Sequence, residues 1–492
     1  MSQFHRGLLS TLFLILESVL NKAVGLVSTL ILARVLVPED FGLVATALLI
    51  VGFFEILTDT GGSSYLLRLE NLNESEINTA WTINLILKTS IALLIFFGSY
   101  FTHLINIDER VALILQALSL ILIIQSFKNP AIVHLKRRQE YGPLVKVNIV
   151  AKVFAVCVTL FVALVYKSYW ALVIGHSISN TVPVIGSYLV YPYQPKFHLA
   201  NAKAQWRFSI WIIPQAVLGY LRTQLDTLLV SMNFSKAQLG SFHTMKYIAF
   251  IPSINFLMPL TETFLVELRR ASTEYKNFLD AFNATLLVAL VIAIPIATFM
   301  FSEHTDIVFI LLGENWISYS YLLAFFSILI PLTAINRHCN KTLVVFNKPK
   351  NIFVYEVLSF IFIYTNLLMI GIDELEMFTK TRVGLEALCS LLLLGYVSLK
   401  YTDIKNTIKV FCNVLILTTI SLTSLTLMSS VNVENYNVFA RIIVRGASFT
   451  VTFIILTISA YIFFLRYFAE WKYLYKLTLK AIDPIIQKKA EK

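Results

Sequence analysis

The chain has 492 residues, of which 57% are hydrophobic and only 14% charged, with a mean hydropathy of +0.73. A soluble chain of this length needs far more charge to cover its domains, so a soluble enzyme, a secreted disulfide scaffold and a disordered chain are excluded. The net charge of +11 fits basic residues gathered on one side of a membrane better than a nucleic-acid partner, and no nucleic-acid role is expected.

Windows of about 20 apolar residues predict fourteen spans: 9–33, 41–66, 80–104, 111–133, 145–166, 169–191, 208–232, 242–267, 279–301, 317–346, 352–372, 382–399, 408–430 and 440–465. The first resembles a secretory signal, but Glu17, Asn21 and Lys22 interrupt it and it runs on to about Leu36, so it reads as an uncleaved span. An even number of spans places both termini on one side. On that side fall Lys136-Arg137-Arg138, Arg269-Arg270, Lys348, Lys350, Lys400, Lys405, Lys409 and the tail. The opposite loops hold Arg34, Arg110, Lys167, Lys236, Lys380, Arg382 and Arg441. Roughly 24 basic residues against 7 predict cytoplasmic termini.

The connecting loops are short. The longest external one, about Ser302–Trp316, contains the apolar Ile307–Leu312 and is expected at the membrane surface. None is long enough for a soluble catalytic domain, and His103 and His304 have no nucleophile beside them. Cys157, Cys339, Cys389 and Cys412 lack metal-ligand spacing, so no metal or other cofactor is expected. The tail carries Lys472, Lys476 and Lys480 beside Trp471 and Leu474, the pattern of an interfacial amphipathic helix.

The chain also repeats itself. Leu32-Ala-Arg-Val-Leu-Val-Pro-Glu-Asp-Phe-Gly42 closes span 1 and opens span 2, and Leu229 to Gly240 does the same for spans 7 and 8. Six spans separate the two, which predicts parallel six-span lobes at 1–200 and 201–400, two appended spans at 401–466, and a basic tail at 467–492. Polar residues recur at helical spacing in corresponding spans. Glu17, Asn21, Gly25 and Ser28 mark span 1, with Lys22 alongside; Gly52, Glu55, Asp59 and Gly62 mark span 2. Gln215, Gly219, Arg222 and Asp226 mark span 7; Lys246, Asn255, Pro259 and Glu262 mark span 8. By themselves these are either helix–helix hydrogen-bonding groups or the lining of a polar cavity. Their concentration in the first two helices of each lobe favours a cavity, which Lys88, Lys128 and Lys152 would extend.

Ala33-Arg-Val-Leu-Val-Pro-Glu-Asp-Phe-Gly-Leu-Val-Ala45, Asp59-x-Gly61, Phe208-Ser-Ile-Trp211, Arg222-x-x-x-Asp226 and Leu239-Gly240 resemble the polysaccharide repeat-unit flippases. These are the Wzx-type O-antigen and exopolysaccharide translocases of the multidrug/oligosaccharidyl-lipid/polysaccharide exporter superfamily. Gly62-Ser63-Ser64 is more polar than that pattern, and Ser231 stands where it has glycine.

The resemblance implies an all-α inner-membrane protein of two six-helix lobes in a V that opens alternately to either side. Its cargo would be an undecaprenyl-pyrophosphate-linked oligosaccharide, with a polysaccharide polymerase and chain-length regulator as further partners. Lys22, Arg34, Arg222 and Lys246 would be the cavity cations. Glu17, Asp59, Asp226 and Glu262 would be their charge partners or carriers of a coupling proton or sodium ion. The competing readings are a small-molecule cation antiporter of the same superfamily and a polytopic glycosyltransferase or polymerase. The cations beside Glu17 and Asp226 argue against the first, and the short loops against the second.

Overall fold

The computed structural model describes residues 3–464 except 106, 371–372 and 434–435, and among the described residues there is no strand. The predicted tail helix lies outside them. Two compact units result, Met1–His243 and Thr244–Lys492.

The first unit contains α1 (Gln3–Val35), α2 (Pro38–Thr58), α3 (Gly62–Arg68), α4 (Glu74–Gly98), α5 (Glu109–Ser126), α6 (Val133–Arg137), α7 (Gly142–Tyr166), α8 (Trp170–Val190), α9 (Ala202–Asn233) and the start of α10 (Lys236–Pro252). The second continues from α10 through one π-helical turn, Ser253–Leu257, into α11 (Met258–Ala271). Then follow α12 (Tyr275–Ser302), α13 (His304–Leu312), α14 (Ser320–Ser327), α15 (Leu329–Val345), α16 (Pro349–Ile370), α17 (Leu375–Tyr401), α18 (Ile404–Ser429) and α19 (Val438–Phe464). The unit boundary falls inside α10, so α9 packs with the helices before it.

Twelve stretches among the described residues are long and apolar enough to cross a membrane. The chain is therefore a multi-pass membrane protein. The other two predicted spans correspond to α8 and α9, which are helical but diluted by polar residues, glycine and proline. Three sequence expectations change. Predicted span 2 is not continuous, because α2 stops at Thr58 and α3 restarts at Gly62. Arg34, assigned to a loop, lies in the last turn of α1, where its charge complements the helix dipole. Arg382, also assigned to a loop, lies two turns inside α17.

Local chemistry explains the helix ends. Pro38 occupies the first turn of α2 with Glu39 and Asp40, and the Asp40 carboxylate accepts the Val37 N–H at 3.1 Å. Asp108 caps α5 by accepting the Arg110 N–H at 2.8 Å. The Arg110 guanidinium in turn bridges Asp108 (2.8 Å) and Glu39 (2.6 Å), tying the α4–α5 connection to the start of α2. Hydrogen bonds from Arg110 hold the Asp108 carboxyl below its usual value of 3.8. A carboxylate with a depressed pKa stabilises the fold above its unfolded pKa and loses that contribution as pH falls through the folded one. Asp108→Asn should therefore be less stable than the parent by a roughly constant amount, about 1 kcal/mol or less, from pH 7 to pH 5. The gap between the thermal melts should begin to close below about pH 4 and keep closing as the pH falls further; a gap that does not narrow at all below about pH 4 contradicts the assignment.

Candidate functional site

The polar stripe of α1 faces α7. Glu17 Oε1 accepts the Asn148 side-chain N–H at 2.7 Å, and a Cβ at Gly25 would sit 3.8 Å from Lys152 Nζ. Ser28 is buried. Lys22, five residues beyond Glu17, is turned about 140° around the helix and has an exposed side chain, as does Arg34. The stripe on α2 divides between two neighbours. Gly52 makes room for Tyr220 of α9, whose hydroxyl donates to the Leu49 carbonyl at 2.6 Å. Glu55 turns to Lys88 of α4 at 3.8 Å, and Lys88 also donates to Gln125 of α5 at 3.2 Å. Glu17, Glu55 and Lys88 are each partnered, which is what a low-dielectric surrounding demands.

The Asp-x-Gly signature is a helix stop. Asp59 caps α2, its Oδ1 accepts the Gly61 N–H at 3.1 Å, and Gly61 takes a left-handed φ of 64°. Only glycine suits that conformation without strain, and a Cβ there would also meet Ile212 of α9 at 2.6 Å. The stop opens a recess of about 220 Å³ whose wall includes Asp59, Ser63, Trp81, Asn84, Lys128 and Lys136.

Asn129 builds the far wall. Its amide donates to the Ser187 and Tyr191 carbonyls (3.1 and 2.6 Å), and its Oδ1 accepts the Ala131 N–H at 2.9 Å. Lys136 Nζ donates to Ser63 Oγ at 3.2 Å. Lys128 is exposed to the recess, with no ion pair recorded for it among the described residues. Reduced hydration, then the Lys136 and Lys88 charges, lower its pKa; reduced hydration does the same to Lys136. The Trp81 indole N–H is buried and has no acceptor among the described residues. Two ammonium groups that repel one another in a partly dry recess form a site that an anion would stabilise.

On α9, Arg222 is exposed, whereas Asp226 is buried and accepts the Thr227 N–H at 2.8 Å. In the second unit, Lys246 is half-buried on α10, and Glu262 of α11 accepts from Lys341 of α15 at 2.5 Å. The lysines that share the recess of the first unit are Lys128 and Lys136; Lys22, Arg34 and Arg222 take no part in its lining.

Sequence reading passed over a network in the second unit. Arg382 pairs with Glu386 at 2.8 Å, with side-chain exposures of only 14% and 24%. Glu386 also accepts from Asn336 of α15 at 3.4 Å, and Asn336 accepts from the Tyr355 hydroxyl of α16 at 3.3 Å. The available signal was the i, i+4 spacing of Arg382 and Glu386. At another end of the unit, Arg441 of α19 binds Asp306 through two hydrogen bonds, 2.5 and 2.6 Å, and Arg445 binds Glu303 at 2.8 Å.

A family model described as polysaccharide biosynthesis protein matches residues 31–321, more than half of the chain. The chain belongs to this polysaccharide biosynthesis family. Among curated relatives, it is 19% identical over 305 residues to the lipopolysaccharide biosynthesis protein WzxC of Escherichia coli, covering 61% of this chain and 62% of the relative. It is 23% identical over 289 residues to the succinoglycan biosynthesis transport protein ExoT of Rhizobium meliloti, covering 58% of each. The chain thus spans about three-fifths of the length of the curated relatives it matches. In fold, this family member is similar to the lipid II flippase MurJ in an inward closed conformation, with a TM-score of 0.70 at 14% identity, covering 93% of this chain and 99% of that one. Its fold, helical throughout the described residues apart from turns and loops, is thus MurJ-like.

Proposed function

We propose that this chain is a transporter, not an enzyme, that flips a polyprenyl-diphosphate-linked oligosaccharide from the cytoplasmic to the outer leaflet of the bacterial inner membrane. The observation that carries this reading is the lysine-walled recess of the first unit, built among helices apolar enough to span a bilayer. A diphosphate cannot enter hydrocarbon unaided, since burying unpaired charge is prohibitive. Fixed cations in a hydrated passage remove that barrier while the prenyl tail stays in lipid. The names of ExoT, WzxC and MurJ support the same class of cargo. Undecaprenyl is the proposed lipid, and a polymerase and chain-length regulator are proposed to take over the flipped unit.

In this reading both termini are cytoplasmic, which places Lys128 and Lys136 on the loading side. The repeat lobes, 1–200 and 201–400, alternate in access. Arg222 grips the diphosphate through its planar fork, with Lys22, Arg34 and Lys246 as further contacts. Asp226 and Asp59 orient these cations or carry a coupling proton or sodium ion, and Glu17 and Glu262 balance charge.

Reconstituted protein should move a fluorescent polyprenyl-diphosphate oligosaccharide to the opposite leaflet of vesicles, read by a lectin added outside. Arg222→Ala should slow this by tenfold or more, equivalent to about 1.4 kcal/mol; Arg222→Lys should be intermediate. The decisive variant is Arg222→Ala/Asp226→Ala. Normal translocation by that protein means Arg222 serves only its helix, and uptake of labelled organic cations instead of the glycolipid supports antiport.

A further inference from the structure

Helices α16 and α17 form between them an open groove, of about 710 Å³, whose walls are mostly exposed apolar side chains such as Val354, Leu358, Phe362 and Leu392. One end is different. Lys350 at the start of α16 and Lys400 at the end of α17 both line it. The Tyr396 hydroxyl between them accepts from Lys400 at 2.7 Å and from the Asn351 amide at 2.8 Å, which fixes both helices at the mouth. Neither Lys350 nor Lys400 has a carboxylate within ion-pair distance among the described residues. From Lys350 to Phe362 the groove follows twelve residues of helix, about 18 Å, slightly more than half the thickness of a bilayer's hydrocarbon core.

We propose that this groove is a binding site for an anionic phospholipid of the leaflet on the Lys350/Lys400 side. The two ammonium groups take the phosphate, the Asn351–Tyr396 pair sets the mouth, and one acyl chain fills the groove. The charge complementarity argues for an anionic headgroup: a zwitterionic lipid would bring its own cation to two lysines that have no carboxylate partner among the described residues. The depth argues for a chain from one leaflet. Basic clefts between helices at a membrane interface hold acidic headgroups in this way.

The test uses purified full-length protein in detergent, titrated with phosphatidylglycerol or phosphatidylcholine and followed by native mass spectrometry and thermal melting. Phosphatidylglycerol should bind and raise the melting temperature, and phosphatidylcholine should not. Lys350→Gln and Lys400→Gln should each weaken phosphatidylglycerol binding about fivefold. Leu392→Trp, which fills the groove while leaving both lysines, should abolish the thermal shift. Equal binding of both lipids, or an unchanged titration in Lys350→Gln/Lys400→Gln, overturns the site. Displacement by a polyprenyl phosphate but not by phosphatidylglycerol also overturns it, making the groove a place for a prenyl tail. None of these readouts depends on translocation.

Discussion

Gly42→Ala should lower the thermal stability of the protein by several degrees, and Gly42→Val should remove most of the folded protein from the membrane. Gly42 lies on α2 where it crosses the first turn of α10, and a Cβ there would stand 1.7 Å from the Lys236 carbonyl oxygen. Gly240 has the reciprocal problem: its Cβ would lie 1.9 Å from the Pro38 oxygen and 2.7 Å from the Gly42 nitrogen. The obstacle is backbone on both sides, so no rotamer change relieves it and the helices must separate. Overpacking of this kind costs about 1–3 kcal/mol where side chains can yield, and more where they cannot. The separation would also break the 3.2 Å contact from Lys236 Nζ to Thr46 Oγ1. Gly384→Ala in α17 is the matched control. Nothing lies within 4 Å of its added methyl, so it should be neutral or stabilising by up to about 1 kcal/mol. Equal melting temperatures for Gly42→Ala and Gly384→Ala would show that the crossing tolerates a methyl.

The second large effect is expected at Glu386. Replacing it by alanine removes the carboxylate from a half-buried guanidinium and leaves Asn336 without one of its acceptors. Loss of one partner of a buried pair costs about 3–5 kcal/mol, while loss of both is often neutral. Glu386→Ala should therefore unfold well below the parent, whereas Arg382→Met/Glu386→Leu should recover most of the difference. Melting curves of the two proteins decide this. If the double variant melts with the single one, the network is not held together by the ion pair. If it is stable yet fails to flip glycolipid, the pair acts in the transport cycle as well as in folding.

Much of the molecule was legible before any coordinates. Long apolar windows locate the helices because a chain in lipid must satisfy its backbone hydrogen bonds within each segment. The paired motifs ending at Gly42 and Gly240 predicted corresponding helix starts, and the fold puts those two glycines against one another. Asp59-x-Gly61 was recognisable as a signature, though its physical content is a helix stop with a left-handed glycine.

What the sequence could not supply was the neighbour on each face. Helical spacing placed Glu17, Gly25 and Ser28 on one side of α1, but only packing shows that this side meets Asn148 and Lys152 of α7. Lys128 lies on a loop and Lys136 within a five-residue helix, with no periodicity to bring the two into one recess. Arg382 sat at the edge of an apolar window and read as a loop residue until α17 proved to begin at Leu375. The physical reason is general. Length and hydropathy are properties of a segment and survive in one dimension, so spans and their approximate order are determined there. Whether a polar side chain lines a cavity, pairs across helices or faces lipid depends on which helix lies beside it, and that choice belongs to the tertiary packing alone.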